Sequence, residues 1–177
     1  TGTTVDVMSP VFSLYAFGEL LDELHAVAGA RLVLPADDSV LSILGGPADR
    51  AARNRLQARW LAAEAADWLE SKAELRRPDG GVPQAALVVR DNDSTPEVAA
   101  LGSFAFSTDG FGITPGNPMS VIQASESADD AERLAQWFDD TWGALPTNSN
   151  DSVGLVALLR ELAAHRAPAE VYARILQ

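Results

Sequence analysis

The chain has 177 residues and a net charge of −12 at pH 7, about the size of one domain and long enough to bury a substantial core. Its 47% hydrophobic and 21% charged content excludes wholesale disorder, and the negative charge opposes tight nonspecific binding to nucleic acid, because phosphate repels it. Cysteine is absent, which rules out disulfides and thiolate metal sites and fits a reducing cytoplasm.

Abundant Ala, Leu, Arg and Asp with almost no Lys suggest a GC-rich bacterial source. The opening TGTTVDVMSP lacks an initiator Met, a basic stretch and a signal-peptide core, so the sequence reads as a piece trimmed from a longer protein. No apolar run approaches the roughly 20 residues of a membrane-spanning helix. Charge is unevenly spread: seven basic residues between Arg50 and Arg77 face four acidic ones, for a net +3, leaving −15 on the remainder. A solvated helix face is the ordinary reading of such a stretch. The sharper one is a contact for nucleic acid or an acidic partner through Arg50, Arg53, Arg55 and Arg59.

In chain order, Val5–Met8 alternates and is predicted as a strand, broken at Ser9-Pro10. Apolar residues at helical spacing predict a helix from Phe12 to Ala28, stopped by Gly29. Ala30–Leu34 is a short buried strand closed by Pro35. Asp38 caps a short helix through Leu44, ended by Gly45-Gly46, and Asp49 to Leu75 carries a long helical pattern. Pro78-Asp79-Gly80-Gly81 is the strongest turn signal. Gln84–Arg90 and Glu97–Phe106 then read as adjacent strands, followed by a Gly/Pro-rich loop and a strand at Met119–Ala124. Helices are predicted over Ala128–Trp142 and Val153–His165, with a last one opened by Pro168. The fold class is therefore α/β, a mixed sheet flanked by helices with a C-terminal helical appendage. Residues 1–145 form the domain and residues 146–177 the extension.

No complete catalytic constellation is present. A nucleophile needs a base beside it, and the only histidines, His25 and His165, both fall near helix ends. There is no phosphate-binding P-loop, and Gly110-Phe111-Gly112 lacks the third glycine and the strand-to-helix setting of a dinucleotide fingerprint. Asp91-Asn92-Asp93-Ser94-Thr95 opens like a calcium loop but lacks its glycine and closing glutamate. The adjacent acidic pairs Asp37-Asp38, Asp129-Asp130 and Asp139-Asp140 do not face one another on a helix. No metal and no cofactor are expected. Trp60, Trp68, Trp137 and Trp142, at helical spacing among apolar residues, read as core.

One stretch is more specific. Ala100–Gly112, ALGSFAFSTDGFG, resembles the G-S-x-N-x-T-x-x-G element of phospholipase D-like domains. Gly102, Ser103, Phe106, Ser107 and Gly110 fill the pattern. Val82–Val89 occupies the place of that family's His-x-Lys strand, and Val5–Phe17 resembles its opening strand and helix. Ser125–Trp142 looks like the helix after the last strand. The closing PAEVYARILQ resembles the junction at which such domains are fused to bacterial superfamily 2 helicases. Histidine, lysine and asparagine of the active family fall on Pro83, Ala85 and Ala105, so the chemical groups that attack and neutralise a phosphodiester are missing. Ser103, Ser107 and Thr108 are left as phosphate or ligand contacts.

The resemblance implies a degenerate domain serving as a non-catalytic accessory module of a bacterial helicase or helicase-like ATPase acting in DNA restriction, repair or anti-phage defence. Its expected partners are the helicase-like motor of the parent chain, a second copy of itself in a homodimer, and DNA through the parent protein, with no membrane and a cytoplasmic location. The alternative is a phospholipase D-type nuclease or phosphodiesterase whose catalytic groups are supplied elsewhere. A pocket at Ser103–Gly110 that gathers basic groups would favour the enzyme; a neutral or apolar one favours the module.

Overall fold

The computed structural model describes residues 2–36, 43–46, 49, 55–148 and 150–164, with the side chains of residues 55–57 left out. Among these residues are six strands and five helices: β1 (Thr4–Met8), α1 (Leu14–Glu19), α2 (Leu21–Ala26), β2 (Gly29–Val33), α3 (Arg55–Lys72), β3 (Ala73–Arg76), β4 (Ala85–Arg90), β5 (Pro96–Gly102), β6 (Ile122–Ala124), α4 (Ala128–Ala144) and α5 (Asp151–Ala164). The fold is α/β, built on one open mixed sheet in the order β3-β2-β1-β4-β5-β6. β1, β2 and β3 run parallel, and β4, β5 and β6 are added antiparallel. Parallel neighbours require crossovers, and α1–α2 and α3 supply them.

Alternation along the strands divides the core in two. On one face Val5, Val7, Ala30, Leu32 and Leu75 pack with Leu14, Phe17, Leu61, Ala65 and Leu69 of α1 and α3. On the other Met8, Val33, Ala86, Val88 and Ala99 meet Ala131, Ala135, Phe138 and Trp142, a stripe at helical spacing along α4. Ser127 caps α4, its Oγ accepting from the Asp130 N–H at 3.2 Å, and Asp129 and Asp130 complement the helix dipole in the first turn.

Several sequence expectations need correction. Of the four tryptophans read as core, Trp68 and Trp142 are buried but Trp60 and Trp137 stand exposed at 51% and 37%. The helix predicted over Phe12–Ala28 is two, separated at Leu20, and Gly29 begins β2 rather than ending a helix. Gly18 lets α1 lie close on α3: a Cβ there would stand 2.8 Å from the Leu61 methyls. The long helical pattern stops at Lys72, and Ala73–Arg76, a sequence of good helix formers, becomes β3. Parallel pairing with β2 and burial of Leu75 override local propensity there. The helix expected as an extension beyond residue 145 is α5, and its Leu155, Val156 and Leu159 share the core of α1 and α3. Its described part is thus integral to the domain. The helix expected at Pro168, most of the one capped by Asp38, and His165 fall outside the described residues.

Candidate functional site

The end of β5 and the loop after it carry the candidate site. Gly102 has φ +153°, and a Cβ there would lie 2.2 Å from the Val121 carbonyl oxygen. The chain leaves the sheet at that glycine, short of the predicted strand end at Phe106. Phe106 is pinned to the loop after β1: its N–H donates to Ser9 Oγ at 2.8 Å, and its carbonyl accepts from the Ser13 N–H at 2.8 Å. Its ring stacks on Phe12 at 5.1 Å and meets Phe111 edge-on at 5.2 Å. Gly110 folds back on Ala105, where a Cβ would meet the Ala105 carbonyl at 2.1 Å. Both glycines that sequence reasoning placed in one motif therefore have a steric reason to be glycine.

The loop overhangs the face of β4, β5 and β6 opposite α4, leaving a hollow of about 760 Å³. Leu87, Ala100 and Ile122 form its floor, and Ser103, Ala105 and Asp109 stand at its wall. No His, Lys or Arg is among the described residues lining it, and Asp109 is its one ionisable side chain. A developing phosphoryl charge would meet a carboxylate there rather than a cation, the reverse of what transition-state stabilisation needs.

The expected contact residues divide. Ser103 is exposed and lines the hollow. Ser107 lines it too, but its hydroxyl donates to Asp109 Oδ1 at 2.6 Å while accepting from the Gly110 N–H at 3.2 Å. Thr108 is buried and turned inward: its hydroxyl and N–H donate to Asp49 Oδ1 at 2.7 and 3.2 Å. Asp49, with no exposed surface, also accepts from the Gly46 N–H at 2.9 Å. Gly45, at φ +72°, makes room for that carboxylate. Sequence reasoning missed this anchor, since Asp49 reads as an ordinary helix start.

β4 and β5 pair as neighbours, Ala85 against Gly102, so the two strands behind the resemblance do lie side by side. Ala105 lines the hollow, and Ala85 is buried. Pro83 lines a separate apolar hollow of about 230 Å³ with Met8, Val33, Trp137 and Leu145. The three positions therefore do not converge on one cavity.

The basic stretch is spent inside the protein where it is described. Arg59 donates to the Ala163 carbonyl at 3.2 Å, Lys72 to the Val27 carbonyl at 2.8 Å, Arg76 to the Trp142 carbonyl at 2.6 Å and Arg77 to the Pro35 carbonyl at 2.8 Å. These are ties between elements. Arg50 and Arg53 lie outside the described residues, as does the side chain of Arg55.

A second polar centre escaped sequence reasoning altogether. Asp6, 2% exposed in the middle of β1, accepts from Arg31 at 2.7 Å through both carboxylate oxygens and from Arg90 Nε at 2.9 Å. Asp139 of α4 accepts from the same two arginines at 2.7 and 3.0 Å. Arg31 lies 5.2 Å over the Phe138 ring and 5.5 Å over Trp142. Its guanidinium is held above its ordinary pKa, first by hydrogen bonding to Asp6 and then, against the cost of burial, by Asp139. Two carboxylates balance two guanidiniums, so the adjoining hollow of about 620 Å³ offers no unspent arginine to an anion. The cluster ties β1, β2 and β4 to α4.

Among the described residues no group of three or more His, Cys, Asp or Glu is placed to hold a metal, and no helix is long and apolar enough to cross a membrane. No protein-family model matches the chain, and no curated protein matches it.

Proposed function

We propose that this chain is a degenerate phospholipase D-like domain serving as a non-catalytic accessory module of a bacterial helicase or helicase-like ATPase that acts on DNA. The observation that carries the non-catalytic part is the hollow at Ser103–Gly110, which has a carboxylate and no His, Lys or Arg among its described lining. The strand order around it supports the phospholipase D-like part, because the strand at the His-x-Lys position lies against the strand that ends in Gly102-Ser103. The family name and the helicase connection rest on the sequence resemblance.

What remains for such a domain is positioning. Its acidic balance favours contacts with protein over unselective contacts with DNA. Arg59, Lys72, Arg76 and Arg77 hold the fold together, so DNA is engaged through the motor of the parent protein.

The test is to read the coding sequence beyond Gln177 for superfamily 2 motor motifs. Where they are present, DNA-stimulated ATP hydrolysis by the whole protein is compared with that of the motor freed of residues 1–177, since α5 belongs to the core of the domain. Altered coupling of hydrolysis to DNA is expected. A downstream region without motor motifs, or a motor indifferent to the loss, overturns the accessory role. DNA cleavage that depends on the Ser103–Gly110 loop returns the nuclease alternative.

A further inference from the structure

From Gly110 to Ser125 the chain runs 16 residues without a charged side chain, in a protein whose net charge is −12. This stretch also holds four of the eight large hydrophobic side chains that stand exposed among the described residues: Ile113, Met119, Val121 and Ile122, with Met119 at 82% and Val121 at 72%. It ends in β6, which closes one edge of the sheet. Edge strands of monomeric proteins are commonly guarded by their shortness, by a lysine or a proline, by a bulge or by a covering element, and β6, at three residues, has the first of these. β6, Ile-Gln-Ala, has no charge or proline within it and is exposed at all three residues.

Among the described residues the backbone of that edge is open in a definite register. Val121 gives its carbonyl to the Ser103 N–H at 2.9 Å, and Ser125 gives its N–H to the Ala99 carbonyl at 2.8 Å. Antiparallel alternation therefore turns the N–H and C=O of Gln123 toward β5 and those of Ile122 and Ala124 away from the sheet.

From this juxtaposition we infer that β6 is a self-association edge, pairing antiparallel with β6 of a second copy about a twofold axis through Gln123. In that register Ile122 of each protomer exchanges both backbone hydrogen bonds with the partner's Ala124. The two sheets join into one, with Ile122 of each protomer facing the partner's Ala124 and lying diagonal to the partner's Ile122, and with Val121 facing the partner's Ser125. An isologous contact must be self-complementary, and like charges brought face to face oppose it. A copy carrying −12 is repelled by most of the surface, but this charge-free edge adds no local repulsion. The seam follows the strand edge beside the hollow, sharing Ile122 with its floor, and it stands whether or not the domain is phospholipase D-like.

The test is sedimentation velocity of the 177-residue chain from low to high micromolar concentration. A monomer–dimer equilibrium is expected, and it tightens as salt screens the net repulsion between copies. Ala124→Pro deletes an outward N–H at a position where an edge strand accommodates proline. Ile122→Lys sets two ammonium groups beside the axis. Each is expected to weaken dimerisation at least about tenfold while leaving the far-ultraviolet circular dichroism and thermal midpoint of the monomer unchanged. Val153→Lys, an equally exposed site on α5, makes the same charge change and is expected to leave the dimer intact. A wild-type chain that stays monomeric throughout overturns the inference. So does a dimer indifferent to both edge variants.

Discussion

Asp6→Asn is the most informative single change in the domain. It keeps the shape of the side chain while removing the charge that two guanidiniums share. The Asp6 side chain is 3% exposed, Arg90 13% and Arg31 28%, so the positive charges cannot turn fully to water. Removing one partner of a buried ion pair costs about 3–5 kcal/mol. The lower part of that range applies, about 3–4 kcal/mol, because Asp139 still contacts both arginines. With a urea dependence of about 2 kcal/mol per molar, the unfolding midpoint falls by roughly 1.5–2 M at an unchanged slope. Asp139→Asn is the internal control: its side chain is 38% exposed, and its loss costs about 1 kcal/mol. Equilibrium urea denaturation followed by tryptophan fluorescence measures both. An Asp6→Asn loss no larger than that of Asp139→Asn would refute the view that Asp6 is the centre of the cluster.

Other consequences follow from the same geometry. Gly110→Ala drives a methyl into the Ala105 carbonyl and is expected to destabilise by about 1–3 kcal/mol, read as a lower thermal midpoint. Thr108→Val leaves buried Asp49 without its hydroxyl donor and costs about 1–3 kcal/mol; Ser103→Ala, at an exposed position, stays within about 0.5 kcal/mol. The same denaturation curves distinguish the two. Arg59→Ala removes the tie to the Ala163 carbonyl and lowers stability, while fluorescence anisotropy with a short labelled duplex shows no loss of DNA affinity. A drop in affinity without a drop in stability would reverse the assignment of Arg59.

Much of the fold was legible because burial is periodic. β1, β2 and β4 were found to within one residue by alternating or apolar runs, and α4 as a helix over Ala128–Trp142 after Ser127. β3 was not legible: Ala-Glu-Leu-Arg has helical propensity, and only pairing with β2 makes it a strand. The glycines at 102 and 110 could be picked out by motif, although their steric reasons lie in Val121 and Ala105, residues set by tertiary folding. Asp49 and the Asp6 cluster were missed for the same reason. Their partners sit 59 residues away in Thr108 and 25, 84 and 133 residues away in Arg31, Arg90 and Asp139, beyond any local window. An aspartate alternating with buried valines in β1 was the one available signal, since a charge in mid-strand needs a partner.

The most direct test of a non-catalytic site is a phosphodiesterase assay of the purified protein, with a chromogenic phosphodiester and an end-labelled single-stranded oligonucleotide, run beside a Ser103→Ala/Asp109→Ala variant. A hollow with no described His, Lys or Arg to activate a nucleophile or neutralise a phosphoryl oxygen predicts no turnover above the buffer rate for either protein. Turnover by the wild type that disappears in the variant would contradict it and place the chemistry at the Ser103–Gly110 loop.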